Sequence, residues 1–254
     1  MLLNFDYLLM NLVTYLKKIY HFYYALRNKI QEKTYKNGVK YIFVNKKSDK
    51  LIVGFSGIGG DYNYRRSLKG SSWDQLYIKD SWANGLSYHL YENEHNHPEL
   101  LTSNFLNDFL TSHKYTYVIS LGSSKGGSSA LYYGLKHKFN EVFCGACQYR
   151  VGDYIGIFHK DDNYYPLIMG DIPEDVGIKT LNDKFEHMLE ENKNSQTKIR
   201  LIYSTEEHTY EDHILHLVRK LDKCHIMHED QIETFPQHGM IGKYMTAICK
   251  KNFK

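Results

Sequence analysis

Proline, cysteine and excess charge of either sign are all scarce in this sequence. Four prolines are spread over 254 residues, and no long polar tract interrupts the chain, which excludes an extended disordered region. Four cysteines are too few for a disulfide framework. Cys144 and Cys147 share the apolar run Val142-Phe143-Cys144-Gly145-Ala146-Cys147, and no second pair exists to complete a zinc site. Within a strand signal they read as buried small residues, and the chain as one from a reducing, cytoplasmic compartment. A formal charge of +3 without a basic, aromatic-interleaved stripe argues against a nucleic-acid partner, although a mildly basic cleft for an anionic ligand stays open. Long apolar runs are missing too. Asn4, Asp6 and Asn11 interrupt the Leu- and Tyr-rich start, no basic segment precedes it and no small-residue cleavage pattern follows. Neither a signal peptide nor a spanning helix is expected.

Apolar residues at 42% and charged residues at 24% describe a compact globular chain, long enough for one large α/β core. Leu2, Phe5, Leu9, Leu12, Leu16, Ile19, Tyr23, Leu26 and Ile30 recur at alternating steps of three and four, predicting one helix over 2–30 and a separate amphipathic segment over 1–36. Such a helix can pack on its own catalytic domain, pair in a homodimer, or lie on a membrane with Lys17, Lys18, Arg27 and Lys29 toward anionic headgroups.

From residue 37 to 254 strand and helix signals alternate, the pattern of a mostly parallel sheet with helices on both faces. Strands are expected at 41–44, 51–55, 87–91, 115–121, 141–147, 198–203 and 232–235, and helices at 102–112, 126–138, 178–191 and 210–221. The first two strands, joined by residues 45–50, read as an edge hairpin. Residues 149–172 have no clear period and many aromatics, and are expected to form a cap facing the substrate.

The sharpest motif is Gly122-Ser123-Ser124-Lys125-Gly126, a G-x-S-x-G pattern between a buried-type strand and a small-residue helix. In the α/β-hydrolase fold such a turn presents a nucleophilic serine, here Ser124, on a strained backbone. Residues two before and two after must be small, and Gly122 and Gly126 supply that room. The pattern is short and common, so its context carries the weight. A P-loop is excluded because the lysine precedes the glycines. The helix start aims N–H groups at a reacting carbonyl, with Gly126 beside the substrate.

In this fold the acid follows a late strand and the histidine follows the last one. Ser204-Thr205-Glu206-Glu207 occupies the first place, with Glu207 preferred and Glu206 and Asp212 as rivals. Pro236-Gln237-His238-Gly239 occupies the second, and of fourteen histidines His238 is the expected general base. The oxyanion hole would combine the Lys125 N–H with one from Ser56 or Gly57, in the run Ser56-Gly57-Ile58-Gly59-Gly60. His95 and His97, flanked by Glu94 and Glu99, read as an exposed loop, and no metal is expected.

The string Gly122-Ser123-Ser124-Lys125-Gly126-Gly127 resembles bacterial carbohydrate O-acetyltransferases of α/β-hydrolase fold, found in capsular polysaccharide biosynthesis and accessory secretion systems. Ala146-x-Gln148 followed by Gly152-Asp153-Tyr154, paired acids at Glu206-Glu207 and the late His238 are similar to segments of those proteins. The resemblance extends over about residues 40–250 at the level of motifs; some relatives carry Asp where Glu207 stands, and the N-terminal helix has no match. It implies acetyl-CoA as donor, a polysaccharide hydroxyl as acceptor and Gln148 at the substrate site. The residues alone imply serine acyl chemistry. A carbohydrate esterase with the same triad, and a silent assembly partner acting through the N-terminal helix, are the alternatives.

Overall fold

The computed structural model describes residues 2–36, 38–59, 61–93, 95 and 97–254. The chain divides into two compact units, 1–33 and 34–254. The first is helix α1 (Leu2–Gln31), an uninterrupted helix along the predicted seam. Among the described residues no helix is long and apolar enough to cross a membrane.

The sheet comprises β1 (Lys33–Tyr35), β2 (Val39–Val44), β3 (Lys50–Phe55), β4 (Asp74–Lys79), β5 (Tyr117–Ser123), β6 (Glu141–Gly145), β7 (Lys198–Ser204) and β8 (His228–Glu233). Their order is β1-β2-β4-β3-β5-β6-β7-β8. β2 runs antiparallel to β4, and every pairing from β4 to β8 is parallel. The helices of the second unit are α2 (His97–Ser112), α3 (Lys125–Lys136), the single turn α4 (Val151–Asp153), α5 (Tyr164–Met169), α6 (Glu174–Glu191), α7 (Leu215–Lys223) and α8 (Ile241–Asn252).

Side chains alternate across each strand, which splits the core between two faces. On β3, Leu51, Val53 and Phe55 join a cluster with Phe105 of α2, Leu131 of α3, Phe185 of α6 and Leu217 of α7. Ile52, between them, joins a second cluster with Ile241, Met245 and Ile248 of α8. Helices therefore cover both faces, as the strand and helix signals imply.

Four local expectations need correction. β2 and β3 do not form a hairpin, because β4 lies between them. That strand escapes a periodicity reading because its apolar centre is only Leu76-Tyr77-Ile78. Its polar entrance is buried nonetheless: Asp74 accepts the Lys46 and Ser48 N–H groups at 2.7 and 3.1 Å and the Tyr115 hydroxyl at 2.8 Å. Residues 87–91 are not a strand, since Tyr88 and His89 take left-handed φ values of 55° and 58°, and the Ser87 hydroxyl accepts the His89 N–H instead of a sheet neighbour. The last strand lies four residues early, at His228–Glu233. Its residues are mostly exposed at the sheet edge, so no apolar signal marks it. Residues 149–172 hold the short helices α4 and α5 with a wide turn at Tyr154–Phe158 between them.

Candidate active site

At the C-terminal end of β5 the chain turns through Ser124 at φ 53°, ψ −130° and enters α3 at Lys125. A serine held there costs on the order of 1–3 kcal/mol, and it persists only where the surroundings over-determine it. They do. Ser124 N–H donates to Gly145 O at 2.8 Å, and Ser128 N–H donates to Ser124 O at 3.0 Å. A Cβ on Gly122 would lie 2.0 Å from Gly126 O, and one on Gly126 would lie 2.6 Å from Phe55 O. Both glycines therefore serve strand–helix approach. The side of Gly126 that lacks a side chain faces the end of β3. Gly122→Ala is expected to lower stability by about 1–3 kcal/mol or more through overpacking. Gly242→Ala, with open space around it, is expected to leave the urea midpoint unchanged or to raise it. Equal midpoints for the two variants would contradict the elbow geometry.

His238 sits in the turn before α8, and its Nδ1 is 3.0 Å from Glu207 Oε2. Glu207, buried just beyond β7, also accepts the Thr209 N–H at 3.2 Å and the Thr209 hydroxyl. Burial alone would raise its carboxyl; the hydrogen bonds from His238 and Thr209 outweigh that and hold it below the usual carboxylate value. Glu206 and Asp212 are exposed, so the structure brings Glu207, and neither rival, to the imidazole. With the Nδ1 proton directed at Glu207, the lone pair of His238 is at Nε2.

Gln148 joins the histidine to the serine. Its Nε2 donates to Ser124 Oγ at 3.2 Å and lies 3.4 Å from His238 Nε2, while Oε1 accepts the Tyr88 hydroxyl at 3.4 Å. The residue is fully buried, and its backbone N–H donates to Ser128 Oγ at 2.9 Å. Ser124, Gln148, Glu207 and His238 thus converge from four loops, those that follow β5, β6, β7 and β8.

The N–H of Lys125 belongs to the first turn of α3, where no intrahelical acceptor exists. Gly57 lies beside the elbow, and its N–H donates to Asn63 Oδ1 at 3.3 Å. Ser56 drops out as an oxyanion donor because its N–H is held by Ile78 O at 3.1 Å, continuing the β3–β4 ladder. Gly60, in the same run, lies outside the described residues.

Several contributors have no sequence signal. The Lys125 side chain is fully buried, with Nζ 2.8 Å from Asp80 Oδ2. Asp80 also accepts the Ser87 hydroxyl at 2.6 Å and the Trp82 N–H at 3.3 Å, and its own N–H donates to Ser56 Oγ at 2.9 Å. Burial alone would raise the Asp80 carboxyl; the Lys125 ammonium overcomes this and brings it below its ordinary value. The pair ties β4, the Ser56 loop and the elbow together. A lysine in a small-residue helix ordinarily reads as solvated, and Asp80 follows a strand that periodicity does not show. Neighbouring His89 is buried, which pushes its imidazole down to about 4.

Aromatic residues of the segment 149–172 pack against His208. The His208 ring stacks on Phe158 at 4.8 Å and 4°, Phe158 stacks on Tyr154 at 5.4 Å and 9°, and His208 lies 5.0 Å from the His238 ring. Around His95 and His97 no metal-ligating cluster forms among the described residues, and Glu94 lies outside them. Cys144 and Cys147 are free, buried thiols.

A mostly parallel sheet covered on both faces, with a serine on a strained strand-to-helix turn, defines the α/β-hydrolase fold. No protein-family model matches the chain, and no curated protein matches it in sequence. Solved structures share its fold. A mutant capsule O-acetyltransferase of Neisseria meningitidis serogroup A, in complex with CoA, is similar with a TM-score of 0.70 and 18% identity, over 86% of this chain and 94% of that one. The Gap123 glycosylation-associated protein complex of Streptococcus agalactiae is similar with a TM-score of 0.68 and 18% identity, over 86% of this chain and 45% of that one. FphF, a fluorophosphonate-binding serine hydrolase of Staphylococcus aureus, gives 0.59 and 12% identity over 83% and 90%.

Proposed function

We propose that this chain is a serine acyltransferase that moves an acetyl group from acetyl-CoA to a hydroxyl of a bacterial polysaccharide through an acetyl ester on Ser124. The observation that carries this reading is the strained Ser124, linked through Gln148 to a histidine that Glu207 holds by Nδ1. Support for the donor and acceptor comes from the shared fold of the meningococcal capsule O-acetyltransferase in complex with CoA.

In the first half-reaction His238 Nε2 takes the Ser124 proton as Oγ attacks the thioester carbonyl. The Gln148 amide donates to Oγ as it gains charge, and it shifts aside so that Nε2 reaches the proton. The carbonyl oxygen, becoming an oxyanion, accepts from the N–H groups of Lys125 and Gly57, the latter turning from Asn63. The C–S bond breaks and the CoA thiolate leaves with the proton from His238. In the second half the sugar hydroxyl gives its proton to His238 and attacks the acetyl ester; Ser124 Oγ departs and recovers the proton. Glu207 stays ionised throughout and supports the imidazolium.

Glu207→Gln is expected to lower kcat about 10⁴-fold by favouring the wrong imidazole tautomer. Glu206→Gln, at an exposed position, is expected to leave it unchanged. Steady-state release of CoA thiol with polysaccharide present measures both, and equal losses would reassign the acid. A hydrolytic reading, with water as acceptor, is favoured by the shared fold of FphF and of a ferulic acid esterase with a TM-score of 0.61. Glycan-dependent release of CoA with acetyl deposited on the glycan supports transfer, whereas equal release without glycan supports hydrolysis.

A further inference from the structure

We propose that Glu207, His208 and His238 form a binding site for a divalent transition metal, zinc above all, and that filling it switches the active site off. The inference about inhibition rests on the acyl-transfer reading; the inference about binding does not. His238 Nδ1 lies 3.0 Å and His208 Nδ1 lies 3.7 Å from Glu207 Oε2. One ligand atom from each residue lies within 4.8 Å of the other two. A tetrahedral zinc ion bonded at about 2.0–2.2 Å holds neighbouring ligand atoms about 3.3–3.6 Å apart. Two edges of that triangle are therefore near their bound length already, and a small turn of His208 closes the third.

Two imidazoles and one carboxylate, with a fourth position left to water, are a donor set that zinc takes. Magnesium and calcium prefer oxygen donors alone and are discriminated against. The His208 side chain is 37% exposed, which gives an ion a path from solvent, and stacking on Phe158 fixes its ring plane beforehand. Nothing in the acyl-transfer chemistry uses His208.

Filling the site changes the bonding at His238. The Nδ1–H···Oε2 hydrogen bond breaks, the proton moves by way of solvent from Nδ1 to Nε2, and Nδ1 and Oε2 each bond to the ion. Nε2 then carries the hydrogen and has no lone pair, so it can no longer take the Ser124 proton.

Cobalt(II) titration of the full chain, followed by its visible ligand-field absorption, reads binding without any need for activity. One equivalent of a tetrahedral-type spectrum is expected, displaced by zinc and not by magnesium. His208→Ala should raise the dissociation constant at least about tenfold, since loss of even an outer-sphere partner of a metal ligand costs 10–100-fold. After chelator treatment that variant should transfer acetyl like the parent, and its half-inhibitory zinc concentration should rise by the same factor as its dissociation constant. Absence of cobalt bands, or binding and inhibition of His208→Ala equal to the parent's, would overturn the site. Stimulation by zinc would overturn the switch. Retained cobalt binding in a chain without acetyl transfer would keep the metal site and remove the acyl-transfer reading.

Discussion

Ser124→Ala should reduce kcat for acetyl transfer by about 10⁶-fold, the loss seen when the nucleophile of a serine triad is removed. The rate left over, about 10³–10⁴ above the uncatalysed reaction, would come from oxyanion donors and binding alone. Brief exposure of the parent to acetyl-CoA should add one acetyl to the intact mass, and the variant should add none. The neighbouring hydroxyls make this a sharp test of position. Ser123 is held by the Tyr64 hydroxyl, and Ser128 clasps the Gln148 backbone, so neither is free to attack. Ser123→Ala should keep the acetyl adduct. An adduct that survives in Ser124→Ala would move the nucleophile elsewhere and dismantle the mechanism with it.

Asp80→Asn should have the largest effect on stability. It leaves the fully buried Lys125 ammonium facing a neutral amide, and removal of one partner from a buried pair costs about 3–5 kcal/mol. For a domain of this size each kcal/mol moves Tm by about 2–4 °C, so calorimetry should read a fall of roughly 6–20 °C. The double variant Asp80→Leu, Lys125→Met should regain part of it, because two apolar groups remove the stranded charge while Ser87 and Trp82 still lose their acceptor. A Tm unchanged in Asp80→Asn would show the pair to be without weight. The same carboxylate sets an acid limit. Asp80 and Glu207 are both held below their unfolded values, so the stability each contributes is complete above the ordinary carboxylate range and is lost as pH falls through the lower folded value. Asp80→Asn should therefore flatten the decline of Tm below about pH 4.

Much of the molecule was legible along the chain. The alternation of short apolar strands with helical periods gave the parallel sheet and its two covered faces, and the small residues around Ser124 gave the elbow, because only glycine admits a Gly126 carbonyl 2.0 Å from a would-be Cβ. Chain order, late acid and then later histidine, pointed to Glu207 and His238 because the fold places their loops at the same sheet edge as the serine. These are local or topological facts, and local pattern carries them.

Other features depend on residues distant in sequence. β4 is a strand because Asp74 and Gln75 find partners from Lys46, Ser48, Leu68 and Tyr115, none of them visible as periodicity. Lys125 is buried because Asp80, 45 positions earlier, meets it there. Ser56 loses its N–H to a neighbouring strand whose existence the pattern did not reveal. His208 stands against the His238–Glu207 pair because Phe158 stacks beneath it. By itself the sequence determined most of the parallel strands, the main helices beside them and which serine sits on the turn, but not β4 or the irregular run at 87–91. Only the tertiary structure decided which polar groups are buried, since a polar group leaves water when a distant partner replaces its hydration, and that partner has no fixed spacing along the chain.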